Sequence, residues 1–102
     1  MEIKYNVLPS GVYFYLYGEL DECTAKDARE RIDDIIDRFT RAQSVVFNMK
    51  GITFMDSTGI GMVIGRYKKL KKLNIPVYIE NPSFSADKVF IVSGIYKLIP
   101  KL

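Results

Sequence analysis

The stretch Asp56-Ser57-Thr58-Gly59 sets a carboxylate and two hydroxyls side by side, just ahead of an apolar run from Ile60 to Ile64. Two kinds of chemistry suit such a group. Asp56, Ser57 or Thr58 can cap the free amides of a helix's first turn, a contribution of about 0.5–2 kcal/mol. The same helix start, with unpaired amides and a partial positive charge, also accepts a phosphate on Ser57 well. A phosphoryl group adds about −1.5 to −2 charges, so it would repel or obstruct a docked partner while the fold persists. Residue types alone favour the cap over the switch.

Several other chemistries are excluded. The chain has no histidine, which removes Ser-His-Asp and Cys-His nucleophile arrangements and the commonest general base. Its one cysteine, Cys23, can neither close an internal disulfide nor build a zinc site. No enzyme activity, metal or cofactor is expected. Asp33, Asp34 and Asp37 read as the solvated face of a helix. Gly59-Ile60-Gly61-Met62-Val63-Ile64-Gly65 resembles a dinucleotide fingerprint, with Glu80 further on as the acid. It has one residue too many between its second and third glycines and does not directly follow the strand read at Val45-Val46-Phe47. The glycines read instead as small residues that let a helix pack close to a sheet. In Arg66 to Lys72, Tyr67 and Leu70 belong to an apolar face and the lysines to the wet side, where cations near a helix end complement its dipole.

The elements that must position these residues follow from periodicity. Ile3 to Leu8 and Val12 to Gly18 are strand-like, and Pro9-Ser10-Gly11 between them is a turn signal, so a hairpin is predicted. Thr24 to Phe39 repeats apolar residues at three- and four-residue steps, with Thr24 as its cap and Asp27 three residues on. Ser44 to Asn48 reads as a buried strand, Lys50 to Thr53 as a connection, and Ser57 to Lys72 as a second helix. Val77-Tyr78-Ile79 is a further strand. Phe84 to Ser93 is a third helix, with Ser83 or Ser85 as its cap and Gly94 as its stop, and Lys97-Leu98-Ile99 is a short terminal strand or loop. Alternating strands and helices after a hairpin predict an α/β fold with a mixed sheet.

With 102 residues the chain suits one domain, and 48% hydrophobic against 26% charged residues is a globular balance. A net charge of +3, with acids and bases mixed outside the Arg66–Lys72 run, argues against a nucleic-acid footprint. No signal-peptide pattern and no apolar stretch of ~20 residues is present, so a cytoplasmic protein without a membrane span is expected.

The run Phe54-Met55-Asp56-Ser57-Thr58-Gly59-Ile60-Gly61, followed by Gly65-Arg66-Tyr67-Lys68, closely resembles the anti-sigma factor antagonists, proteins of the STAS fold. Gly18-Glu19-Leu20-Asp21 with Thr24-Ala25 is similar to the family's early motif. Asn81-Pro82-Ser83, Lys88-Val89-Phe90 and Ser93-Gly94-Ile95 are similar to its C-terminal part. The branch most resembled is the sporulation one, whose members antagonise the anti-sigma-F factor. Thr58 stands where serine or alanine is common, and Glu22-Cys23 where that branch often has two histidines. The resemblance implies one STAS domain over residues 1–102, a sheet of about four to five strands with helices mainly on one face. It also implies partner switching. The unphosphorylated antagonist binds an anti-sigma factor that is itself a serine kinase using ATP, and a sigma factor is freed. The kinase then phosphorylates Ser57 and the pair separates; a metal-dependent, PP2C-type phosphatase reverses the step. Asp21 and Asp56, with Thr58 and Gly59 of the same run, are the partner-binding residues it implies. A STAS scaffold or sensor module in another signalling assembly, binding a small ligand or nucleotide, is the alternative.

Overall fold

In the computed structural model, which describes residues 1–102, the opening alternation folds as an antiparallel hairpin. Strand β1 (Glu2–Leu8) pairs with β2 (Gly11–Leu20) around Pro9-Ser10, and Leu8 faces Gly11. Helix α1 (Ala25–Arg38) leads to β3 (Val45–Met55), α2 (Ser57–Lys72) to β4 (Val77–Glu80), and α3 (Phe84–Ser93) to a 3-10 turn at Ile95–Lys97. The sheet order is β1-β2-β3-β4, with β1 antiparallel to β2 and the other pairings parallel. The result is the mixed α/β arrangement expected, with four strands.

Side-chain alternation gives the sheet two unlike faces. Val12, Phe14 and Leu16 of β2, Val45, Phe47 and Met49 of β3, and Val77 and Ile79 of β4 are buried towards the helices. Phe14 and Phe47 stack at 5.3 Å between ring centroids. Phe90 from α3 and Ile32 and Ile36 from α1 close over them, each buried side chain contributing about 1.5–3 kcal/mol. The opposite face carries Tyr13, Tyr15, Tyr17 and Tyr78, all at least partly exposed.

Strand β3 runs through the segment read from sequence as a connection. The register between β2 and β3 shifts at Tyr15/Tyr17 and again at Gly18/Glu19, bringing Gly51 opposite Tyr17. A Cβ on Gly51 would collide with the Tyr17 ring and lie 2.8 Å from the Leu16 carbonyl oxygen. Lys50-Gly51 is therefore a point of close backbone approach within a strand, and its glycine mimics a turn signal.

The ends of the helices differ from expectation at one place. Of the two serines offered as the α3 cap, Ser83 takes the role, its Oγ accepting from Ala86 N at 3.1 Å, and Gly94 ends the helix with φ of 74° as predicted. Thr24, however, makes no capping bond to α1. Its hydroxyl donates to the Glu19 carbonyl at 2.8 Å and accepts from Asp21 N at 3.0 Å. Asp21 Oδ1 instead receives Cys23 N at 2.9 Å and Thr24 N at 3.2 Å, so the aspartate organises the turn before the helix.

The flank of α1 read as fully solvated is also different. Because α1 and α2 lie side by side, Asp33 Oδ1 meets Arg66 Nε at 2.8 Å and Lys69 Nζ at 3.7 Å, while Asp37 pairs with Lys69 at 2.8 Å. Arg66 is only 8% exposed, although it belongs to the run read as a wet face. Its contact with Asp33 is a close ion pair without the angle of a directed hydrogen bond.

The chain's last segment seals the β4 edge. Ile79 N donates to the Pro100 carbonyl at 3.0 Å and Leu102 N to the Ile79 carbonyl at 2.8 Å, with Ile99 fully buried. Asp87 of α3 accepts from both Tyr96 Oη and Lys101 Nζ. The Tyr96 bond first, and Lys101 with it, holds the Asp87 carboxyl below its ordinary range. Burial, and then Asp87, pushes the Tyr96 phenol well up.

Candidate functional site

Parallel strands β2 and β3 end together, with Leu20 paired to Met55, and both chains turn into helices at that end of the sheet. This is the end at which open α/β sheets gather their functional loops. Asp56 N donates to the Leu20 carbonyl at 3.4 Å, which ties the two turns to each other. The Asp21 turn and the Asp56–Gly59 run, far apart in sequence, thereby share one surface.

Within that surface each residue has a distinct position. Asp56 is the N-cap of α2: its Oδ1 accepts from Gly59 N at 3.0 Å, and its carbonyl accepts from Ile60 N at 3.1 Å. Of the three possible caps, the aspartate takes the role. Ser57 is the first residue of the helix, is exposed, and has no side-chain hydrogen bond to the rest of the chain. Its own amide and that of Thr58 are among those that helix geometry leaves without an intrahelical acceptor. Thr58 is also exposed, but its side chain lines a groove between α1 and α2. Gly59 is buried; a Cβ there would lie 2.5 Å from the Leu20 carbonyl oxygen and 3.0 Å from Met55 Cγ.

The glycines of the fingerprint-like run therefore divide. Gly59 is small because the helix start packs against the end of β2, as the sequence reading held. Around a Cβ on Gly61 or Gly65 there is nothing within 4 Å, so neither is needed for close packing on the sheet. The reading of these two as sheet-packing residues is corrected: they face the open groove.

Two neighbouring surfaces were not singled out from sequence. One is that groove, of about 440 Å³, whose walls include Lys26, Arg29 and Arg66. The spacing of Lys26 and Arg29, three apart on α1, was the available signal. The other is an apolar hollow of about 440 Å³ formed by Phe54, Met55, Phe84, Lys88, Val89 and Val92. Phe84 and Val92 are 84% and 85% exposed. Such exposure in α3 was legible only as apolar residues on every side of a short helix. No group of acids and cysteines in the chain is arranged to hold a metal ion. No helix is long and apolar enough to cross a membrane.

The STAS domain family model matches residues 2–102. The chain is similar to an anti-sigma F factor antagonist of Lysinibacillus sphaericus, at 36% identity over 84 residues, which are 82% of this chain and 71% of the relative. Its fold is similar to that of the anti-sigma factor antagonist SpoIIAA in its unphosphorylated form, with a TM-score of 0.78 at 28% identity. That match covers 99% of this chain and 88% of the other. The Bacillus cell fate determinant SpoIIAA in the phosphorylated form gives a TM-score of 0.72, also at 28% identity, over 99% of this chain and 91% of that one.

Proposed function

This chain belongs to the STAS domain family, and from that premise we propose that it is an anti-sigma factor antagonist working by partner switching, with Ser57 as its phosphorylated residue. Unphosphorylated, it binds an anti-sigma factor and so frees a sigma factor. The anti-sigma factor acts as the kinase: the γ-phosphoryl group of ATP passes to Ser57 Oγ, the bond to ADP breaks, and the hydroxyl proton is released. A PP2C-type phosphatase hydrolyses the phosphoserine and restores binding.

The observation that carries the assignment of Ser57 is its freedom. It is exposed at the first position of α2, and Asp56 alone performs the cap. A phosphate there meets unpaired amides and the positive end of the helix dipole. It also adds about two negative charges beside Asp56 and Asp21, a combination that disfavours any partner presenting carboxylates or apolar surface. The fold is retained while the surface becomes more negative. Asp21, Asp56 and Thr58 supply the polar part of that surface, and buried Gly59 sets the spacing beneath it.

The test is to incubate the protein with its anti-sigma factor and ATP and to map phosphate by mass spectrometry. Phosphate on Ser57 is expected. Ser57→Ala should bind the anti-sigma factor without being switched, and Ser57→Asp should bind at least tenfold more weakly. Phosphate found elsewhere, or equal affinity of Ser57→Asp and the parent, refutes the assignment.

A further inference from the structure

The groove between α1 and α2 opens beside Thr58 and is lined on one side by Lys26 and Arg29 and on the other by Gly61, Gly65 and Arg66. Its charges are poorly matched within the molecule. Glu22 is the one carboxylate in its wall, against three cations. Arg66 is nine-tenths buried, and of its five donors only two have a neighbour in the chain: Nε in the ion pair with Asp33, and Nη1 at 3.5 Å from the Met62 carbonyl. Burial lowers the affinity of Arg66 for its proton, Asp33 partly restores it, and nearby Arg29 works against it. Arg66 has Asp33 as its counter-charge, whereas Lys26 and Arg29 form no ion pair in the chain and share the groove with Glu22 alone.

The floor of the groove is as unusual as its walls. A glycine inside a helix is about 1 kcal/mol less favourable than alanine. Gly59 has a reason within the molecule, the Leu20 carbonyl; Gly61 and Gly65 have none, since the space above them is empty. They sit one turn apart and leave room for a side chain from outside.

We propose that this groove receives a carboxylate-bearing side chain of the anti-sigma factor, with Lys26 and Arg29 as its counter-charges and Gly61 and Gly65 as the space it enters. This rests on the antagonist function proposed above and adds a specificity-determining contact separate from Ser57. Charge complementarity selects the occupant: an acidic side chain supplies the counter-charge that Lys26 and Arg29 lack, and a basic or apolar one does not. The ion pairs also make docking salt-dependent in a way that contacts at the apolar hollow are not.

The experiment measures affinity for the anti-sigma factor at low and high salt, together with the melting temperature of each variant. Lys26→Glu and Arg29→Glu should each weaken binding by tenfold or more at low salt and flatten its salt dependence. Gly65→Ala should raise the melting temperature by about 4–8 °C, as removal of an unneeded helical glycine does in a domain of this size. Yet it should bind the anti-sigma factor more weakly. Stabilisation with loss of binding is a pattern that a purely structural groove does not produce. If charge reversal and Gly65→Ala leave affinity and its salt dependence at parental values, while Ser57→Asp still disrupts the complex, the groove inference is overturned and the antagonist function stands. If the parent binds no anti-sigma factor at all, both fall.

Discussion

The division of roles between Asp56 and Ser57 can be tested by two single substitutions with different expected outcomes. Asp56→Ala removes the acceptor for Gly59 N, a 3.0 Å bond that caps α2. Loss of an N-cap costs about 1 kcal/mol, within a range of roughly 0.5–2. For a domain of this size that corresponds to a fall of about 4–8 °C in melting temperature. Asp56→Asn keeps an oxygen acceptor and loses only the charge at the positive end of the dipole, worth about 0.3–1 kcal/mol. Ser57→Ala removes a hydroxyl that bonds to nothing in the chain and introduces the best helix former, so its change should stay within about 0.5 kcal/mol of zero. Urea unfolding monitored by far-ultraviolet circular dichroism, with the m value shared among variants, reads all three. The order expected is Ser57→Ala near the parent, Asp56→Asn lower, and Asp56→Ala lowest. Were Ser57→Ala to lose as much stability as Asp56→Ala, Ser57 would be a structural cap, and the argument from its freedom would fail.

Gly59→Ala should destabilise by about 1–3 kcal/mol through overpacking, since its Cβ would press on the Leu20 carbonyl; thermal melting checks this, and an unchanged or raised melting temperature would refute it. The Asp87–Tyr96–Lys101 clamp makes stability pH-dependent at acid pH. The folded-state value of Asp87 is depressed, chiefly by the Tyr96 bond, so its contribution is present above the ordinary carboxylate value of 3.8 and is lost as pH falls through the lower folded value. Melting temperature followed from neutral pH to below that value should fall more steeply for the parent than for Tyr96→Phe, and superimposable acid limbs would refute the clamp.

Much of the fold is legible in the sequence wherever a segment has one exposed and one buried side. α1 has a single apolar stripe and α3 has a serine and a glycine at its ends, and both were placed to within a residue or two. The β3 extension was not legible, because β3 carries one extra residue between Asn48 and Gly51 and another between Ile52 and Phe54 relative to β2, which breaks the alternation that marks a strand and sets Gly51 against Tyr17. Arg66 and Asp33 escaped for a different reason. Each looks like a surface charge on its own helix, and only the side-by-side packing of α1 and α2 buries the pair. At the site, Asp56, Ser57 and Thr58 were equivalent candidates for the cap until the backbone of the turn selected the aspartate. The same ambiguity held for the glycines, where spacing could not distinguish the one pressed on Leu20 from the two facing open space.

The cap's location on Asp56 has a consequence for how such a protein can change over generations. A serine that both capped the helix and received the phosphate would tie signalling to folding: any substitution that altered the signal would also erode the structure. Under the proposed assignment the two duties sit on adjacent residues, one inward-bonded and one free. Replacement at Ser57 can silence the switch, or mimic its modified form, with little effect on the amount of folded protein. Variation in a regulatory circuit can therefore be tried at a single codon, and selection sees the altered timing without an accompanying defect in abundance.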